Sequence, residues 1–154
     1  MPKHSSYLSL LLFLCVVAGV AFSGAHFQPG DWYAHLAKPD WTPPNWFFPF
    51  IWTILYIMIA VAGWLIFSVP NLILKSLWVV QLILNGLWSW IFFGMHRTGL
   101  GLVDILAMFV CIALLLYMSF KVAPRIVAWL LAPYLVWVGC ASALNAFIYI
   151  HNPA

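Results

Sequence analysis

The sequence predicts an all-α membrane protein: a five-transmembrane-helix bundle with a structured loop between helices 1 and 2. Of the 154 residues, 66% are hydrophobic and only 6% are charged, and the apolar residues fall into five long runs. A soluble domain carries about a quarter of its residues as charged side chains, so a soluble globular fold and a disordered chain are both excluded. The length allows one compact membrane domain, residues 1–154.

Each of the five apolar runs is long enough to cross a bilayer. A helix needs about 20 largely apolar residues to span a hydrocarbon layer roughly 30 Å thick. Segments that are polar or charged, or that contain Pro or Gly, separate the runs. No run alternates polar and apolar residues as the strands of a membrane barrel would. The predicted helices cover about residues 7–27, 46–69, 72–93, 100–120 and 126–150.

The first run also fits a secretory signal peptide. Lys3 and His4 would form its basic start, and the small residues around Ala21 and Ser23 resemble a cleavage site. Because the apolar stretch is longer than the hydrophobic region of a usual signal peptide, we favour a retained first helix.

The basic residues between the spans predict an orientation. Cytoplasmic segments of membrane proteins carry an excess of Lys and Arg. In a five-span arrangement the N-terminal side holds four basic residues and the opposite side holds two, so the sequence predicts a cytoplasmic N-terminus. The first set is Lys3, Lys75, Lys121 and Arg125, and the second is Lys38 and Arg97.

Residues 28–45, which we call loop 1, combine bulky aromatic side chains with several prolines. Proline fixes its own φ and restricts the preceding residue, so loop 1 should be stiff. One interpretation is an interfacial girdle with Trp rings at headgroup depth. The other is a lid over a cavity between the helices, in which His35 and Lys38 offer positive charge to an anionic ligand. The remaining lid candidates are Trp32, Tyr33 and Trp41.

Polar and aromatic side chains share faces of three spans. An amide that faces hydrocarbon is costly, so Asn85 and Asn145 should point into the bundle and find partners. Such residues either hold helices together or line an aromatic-walled pocket that offers a few hydrogen-bonding groups. The helical spacing groups Trp52 with Tyr56, Asn85 with Trp88 and Phe92, and Tyr134 with Trp137, Ala141 and Asn145.

Other kinds of site find little support in the sequence. The basic residues are scattered singly, which argues against nucleic-acid binding, and the three cysteines lie in apolar runs with no metal-binding spacing. No histidine lies mid-span and no metal site is predicted. Asp104 is expected to pair with Arg97, seven residues earlier, rather than to act as a catalytic acid.

The residues that carry a family resemblance lie mainly in loop 1 and the fifth span. The run W-Y-x-x-L-x-K-P-x-W-x-P-P from Trp32 to Pro44 resembles the translocator protein / tryptophan-rich sensory protein (TspO/MBR, peripheral benzodiazepine receptor) family. Later blocks agree in order across all five spans. They are Trp52 with Leu55-Tyr56, Asn85-x-x-Trp88 running into Phe92-Phe93-Gly94, Asp104, and Pro133-Tyr134-x-x-Trp137 ending in Leu144-Asn145.

The resemblance implies a five-helix bundle, often a homodimer, with a ligand cavity beneath loop 1. Members of the family bind porphyrins such as protoporphyrin IX and haem, isoquinoline carboxamide and benzodiazepine drugs, and, in animals, cholesterol. The tetrapyrrole is then a ligand rather than a prosthetic group, so no cofactor is expected. A bacterial cell-envelope membrane is the expected location. The family's drug-contact alanine falls at Ala141.

Three classes of function remain open at this stage. A receptor or sensor that binds without turnover is favoured over a tetrapyrrole or lipid transporter and over an enzyme. Some bacterial members promote light-dependent porphyrin breakdown that needs two tryptophans, which correspond by motif position to Trp52 and Trp137. The family's cholesterol motif is incomplete here, because Ala146 stands at its tyrosine position and no basic residue follows Tyr149.

Overall fold

A computed structural model describes residues 7–152, which contain helices and no strand. The five-helix membrane bundle is therefore confirmed, and its five long helices are apolar enough to span a bilayer. A short helix lies in loop 1, and a π-helical turn, Trp90–Gly94, extends the fourth helix. In chain order the helices are α1 (Tyr7–His26), α2 (Asp31–His35), α3 (Phe47–Phe67), α4 (Leu72–Ser89), α5 (Thr98–Val122) and α6 (Arg125–His151).

The predicted span ends agree with the observed ends to within two residues. Local signals explain several of them. The side chain of Asn71 caps α4 by accepting a hydrogen bond from the Leu74 amide at 2.9 Å. Pro124 immediately precedes α6, where a missing N–H costs nothing. Lys3, part of the basis for the orientation, and His4, part of the signal-peptide alternative, lie outside the described residues, and the cytoplasmic N-terminus stays a prediction.

The spans form a ring in the order α1, α3, α6, α5 and α4, with α1 closing it by packing against both α3 and α4. The most extensive contact joins α5 to α6, whose connection is short, as expected for antiparallel neighbours. In contrast, α1 buries only Val17 among its described side chains. The fold is therefore a well-packed core of α3 to α6 with a peripheral first helix.

A tight contact joins α3 to α4 at Gly63. Gly63 faces the indole ring of Trp78, and a Cβ at Gly63 would lie 2.3 Å from two ring carbons. The indole N–H donates to the Ile59 carbonyl at 3.0 Å, which links the two helices. Small residues allow membrane helices to approach in this way.

Candidate functional site

A cavity of about 490 Å³ lies between α1, α3 and α4 beneath loop 1. This volume falls within the roughly 300–1,000 Å³ typical of small-molecule sites. Among residues 7–152, no charged side chain lines the cavity. Five residues predicted as ligand-binding lie in its wall: Tyr33, Trp52, Tyr56, Asn85 and Trp88.

Flat aromatic surfaces make up much of the wall. On α3, the rings of Trp52 and Tyr56 stack with centroids 5.2 Å apart and planes 26° apart. On α4, Trp88 stacks on Phe92 at 5.1 Å and 19°. Phe92 is buried behind Trp88 and does not itself line the cavity. Both stacks follow from helical spacing, because residues four apart share a face.

One polar side chain of the wall, Asn85, is tied into a buried network. It accepts a hydrogen bond from the Tyr56 hydroxyl at 2.8 Å and donates to the Tyr134 hydroxyl at 3.0 Å. Tyr134, fully buried on α6, donates in turn to Gln81 at 2.9 Å. The network joins α3, α4 and α6 and leaves these polar groups satisfied within the membrane, as predicted for Asn85.

A second polar link fixes the orientation of Trp88. Its indole N–H donates to the side-chain carbonyl of Asn145 at 3.1 Å, and the Asn145 amide donates to the Thr98 carbonyl at 2.9 Å. Asn145 is buried on α6 and does not reach the cavity, so it positions the wall instead of forming it. The inward orientation and pairing predicted for this amide are both present.

Loop 1 covers the site through Tyr33, which is buried and lines the cavity. Burial raises the pKa of the Tyr33 phenol above its ordinary value, so the group remains neutral at physiological pH. The Lys38 ammonium lies 4.7 Å from the Tyr33 ring centroid. It donates to the carbonyls of Tyr33, Leu36 and Ala34 at 2.6, 2.9 and 3.2 Å. Its charge is therefore directed at the end of α2 and not at the cavity.

The other loop 1 candidates also lie outside the cavity wall. Trp32 stacks on His96 of the α4–α5 connection, with centroids 4.2 Å apart and planes 13° apart. The Nδ1 atom of His35 lies 2.6 Å from the Asp31 carbonyl oxygen, which places it in a local turn contact. Trp41 is exposed, as an interfacial tryptophan would be. Of these residues, Trp32 attaches loop 1 to the α4–α5 connection.

Trp137 and Ala141 lie behind the wall, on α6. The Trp137 ring packs edge-on against Phe47 and Phe48, at centroid distances of 5.7 and 5.8 Å. Ala141 borders a separate void of only about 20 Å³, which shares Tyr33, Phe48, Trp88 and Phe93 with the main cavity. A contact between either α6 residue and a ligand stays a prediction, since aromatic side chains separate them from the cavity.

The prediction that Asp104 forms an ion pair with Arg97 is wrong. Asp104 is buried, and its Oδ2 atom has no hydrogen-bond partner among the described residues. Arg97 is exposed beyond the start of α5. The separation of seven residues corresponds to about 10 Å along the helix axis, and the guanidinium remains where water can solvate it. Within residues 7–152 no group of His, Cys, Asp or Glu side chains is arranged to hold a metal ion.

Sequence analysis did not single out the α1 wall of the cavity. Ala18, Ala21, Phe22 and Ala25 line it, together with Ser89 opposite on α4. The available signal was a stripe of small residues at helical spacing, which leaves room beside the helix.

Comparison with known proteins gives a consistent result over most of the chain. The model of the TspO/MBR family matches residues 11–150. "Tryptophan-rich protein TspO" of Chlorobaculum tepidum is 40% identical over 161 aligned positions, covering 99% of this chain and 100% of the relative. "Protein CrtK" of Rhodobacter capsulatus is 35% identical, covering 95% and 96%. The human "Translocator protein" is 34% identical, covering 85% and 82%.

Proposed function

The chain belongs to the TspO/MBR family of integral, multi-pass membrane proteins, and from that premise we propose that it is a receptor or sensor that binds tetrapyrroles. The ligands, typified by protoporphyrin IX and haem, occupy the cavity between α1, α3 and α4. Their binding contributes to tetrapyrrole transport or regulation and to a stress response.

The observation that carries this proposal is the aromatic wall. A porphyrin is a flat, apolar and π-rich disc, and the aromatic rings of Trp52, Tyr56 and Trp88 line the cavity. Aromatic contacts of this kind contribute about 0.5–1.5 kcal/mol each beyond the burial of area. The Asn85 amide, held at a fixed orientation by its two tyrosine partners, adds a directional polar contact.

The neutral lining determines how a porphyrin would be oriented. Burial of an ionised carboxylate without a partner is strongly unfavourable, and no cationic side chain of the described part of the chain lines the cavity. The propionates of the ligand therefore extend through the mouth towards water, and the ring occupies the apolar interior. Neutralisation of the propionates by Lys38 or His35 would require these side chains to leave their contacts with loop 1 carbonyls.

Fluorescence titration of the purified protein with protoporphyrin IX in the dark tests this function. We expect saturable quenching, and replacement Trp52→Phe should weaken binding by up to about 10-fold, because the smaller phenyl ring keeps only part of the aromatic contact. Trp129→Phe is the matched control, because Trp129 is exposed on α6. Equal titration curves for the two variants, or no saturable binding by the wild type, would contradict the proposal. The variant Trp137→Phe tests the separate prediction that Trp137 contacts the ligand.

Light-dependent porphyrin breakdown is the second candidate function. It is favoured by the position of Trp52 in the cavity wall, where a photo-excited ligand would contact its indole ring. Illumination of the titrated samples separates the candidates. Several equivalents of porphyrin product per protein would indicate turnover, and quenching without product would indicate a receptor. Flux of porphyrin or lipid between vesicles would indicate a transporter.

We also propose that the protein is a homodimer in a bacterial cell-envelope membrane. The family resemblance supports the assembly, and the bacterial relatives support the location. Cross-linking of the protein in native membranes, followed by measurement of its mass, tests the assembly, and a monomer under those conditions would contradict it.

A further inference from the structure

The cavity also opens along its side, between the loop 1 ends of α1 and α3. Several lining residues are exposed, and they form two facing rows along the loop 1 ends of two spans. On α1 they are Ala18, Phe22 and Ala25, and on α3 they are Pro49 and Thr53. Ala18 lies eight residues before the end of α1, so this slot extends about 12 Å into the spanning segment.

The packing of α1 leaves the slot open on one side. Near its start, α1 is held against α3 and α4 by Phe13, whose ring meets Phe67 and Trp78 edge-on at 5.0 and 5.3 Å. Towards loop 1 the helix lies close to α4 instead: a Cβ at Gly86 would meet Val20 at 3.6 Å. The helix thus stays in contact with α4 at the level where the cavity lies between it and α3.

Loop 1 is fastened on the opposite side of the cavity. The Ala37 amide donates to the Asn152 side chain at 2.8 Å, and the Asn152 amide donates back to the Ala37 carbonyl at 3.0 Å. The Trp32–His96 stack adds a second attachment. Opening the loop as a lid would break both contacts and expose the buried Tyr33. Passage of a ligand through the slot between α1 and α3 breaks neither contact.

We propose that the ligand enters and leaves the cavity sideways, from the bilayer, through the slot between α1 and α3. The protein then draws on ligand dissolved in the membrane, and the class it admits is flat, apolar and uncharged over the part that passes the slot. The inference rests on the proposed tetrapyrrole-binding function and adds the route and the source of the ligand.

The test measures exchange of protoporphyrin IX dimethyl ester, an uncharged porphyrin, between phosphatidylcholine donor vesicles and the protein reconstituted in phosphatidylcholine nanodiscs. A double variant, Ala25→Phe with Thr53→Phe, narrows the slot. We expect it to slow uptake and release together by about tenfold or more, within the range over which association rates vary among variants. A barrier in the path changes both rates alike.

Three variants complete the experiment. Phe22→Ala widens the slot and should accelerate uptake and release, so the proposal remains testable if the double variant fails to fold. Leu12→Phe, at an exposed α1 position outside the cavity lining, should leave the rates unchanged. Asn152→Ala releases loop 1 and should also leave them unchanged.

The contrary outcomes are distinct. Faster uptake by Asn152→Ala, with no effect of narrowing or widening the slot, would overturn the lateral route and indicate entry beneath loop 1. A weaker Kd with an unchanged uptake rate in the double variant would assign its positions to the binding surface and also overturn the route. Absence of saturable binding by the wild type would overturn the proposed function and this inference with it, whereas unchanged rates with intact binding overturn only the route.

Discussion

Replacement of Gly63 by alanine should destabilise the bundle, although alanine is the better helix former. An added Cβ would lie 2.3 Å from the Cε2 and Cζ2 atoms of Trp78 and 2.7 Å from its Nε1. Non-bonded carbons are most stable about 3.5–4.0 Å apart, so the ring would have to move by more than 1 Å. Trp78 is 3% exposed and has little space into which to move.

The magnitude follows from three contributions. Overpacking of a close-packed core costs about 1–3 kcal/mol, and displacement of the ring weakens its hydrogen bond to the Ile59 carbonyl, which is worth about 1 kcal/mol. Alanine recovers about 1 kcal/mol of helix propensity. We therefore expect Gly63→Ala to lower the free energy of unfolding by about 1–3 kcal/mol, measured by SDS-induced unfolding in mixed micelles.

Gly19→Ala is the matched control on another span. A Cβ at Gly19 would meet nothing within 4 Å, so the change should be neutral or stabilising, by up to about 1 kcal/mol. If the clash is responsible, Trp78→Phe should cost less in the Gly63→Ala background than in the wild type, with a coupling above about 0.5 kcal/mol. Equal stability of the two alanine variants would refute the close-approach argument.

The remaining predictions concern the polar network and the attachment of loop 1. Tyr134→Phe removes the hydroxyl shared by Asn85 and Gln81 and should lower the free energy of unfolding by about 1–2 kcal/mol in the same SDS assay. Hydrogen bonds within membranes average about 0.6 kcal/mol each and rarely exceed 1.7. A variant as stable as the wild type would contradict the network. Asn152→Ala should speed hydrogen exchange at the Ala37 amide, which loses its acceptor, without changing exchange in the spans. Unchanged exchange at Ala37 would contradict the attachment of loop 1 to Asn152.

The fold was predictable because the bilayer imposes one length scale and forbids unsatisfied backbone groups. Apolar runs separated by polar or proline-containing breaks then leave few alternatives. The order of helices around the ring was not predictable, since an apolar helix carries little sequence information about which face meets a neighbour. The close approach at Gly63 depends on the position of Trp78, which lies on a different helix.

The site was only partly predictable for a related reason. Spacing correctly placed Trp52 with Tyr56 and Asn85 with Trp88 on shared faces, and both pairs line the cavity. Spacing could not tell which faces of different helices meet. The residues predicted to share a face of α6 therefore lie behind Phe48 and Trp88, and the small residues of α1 form the opposite wall. The α6 group is Tyr134, Trp137, Ala141 and Asn145.

The ten tryptophans of this chain do not all serve one purpose. Several indole N–H groups act as directional links between helices in an apolar interior: Trp78 donates to the Ile59 carbonyl, Trp64 to the Ser9 hydroxyl and Trp88 to Asn145. Others are exposed, as interfacial tryptophans are: Trp41, Trp46, Trp90 and Trp129. Tryptophan content alone is therefore weak support for ligand binding. Ligand binding depends on which of these rings line the cavity. Trp88 shows that one residue can both link two helices and form the cavity wall.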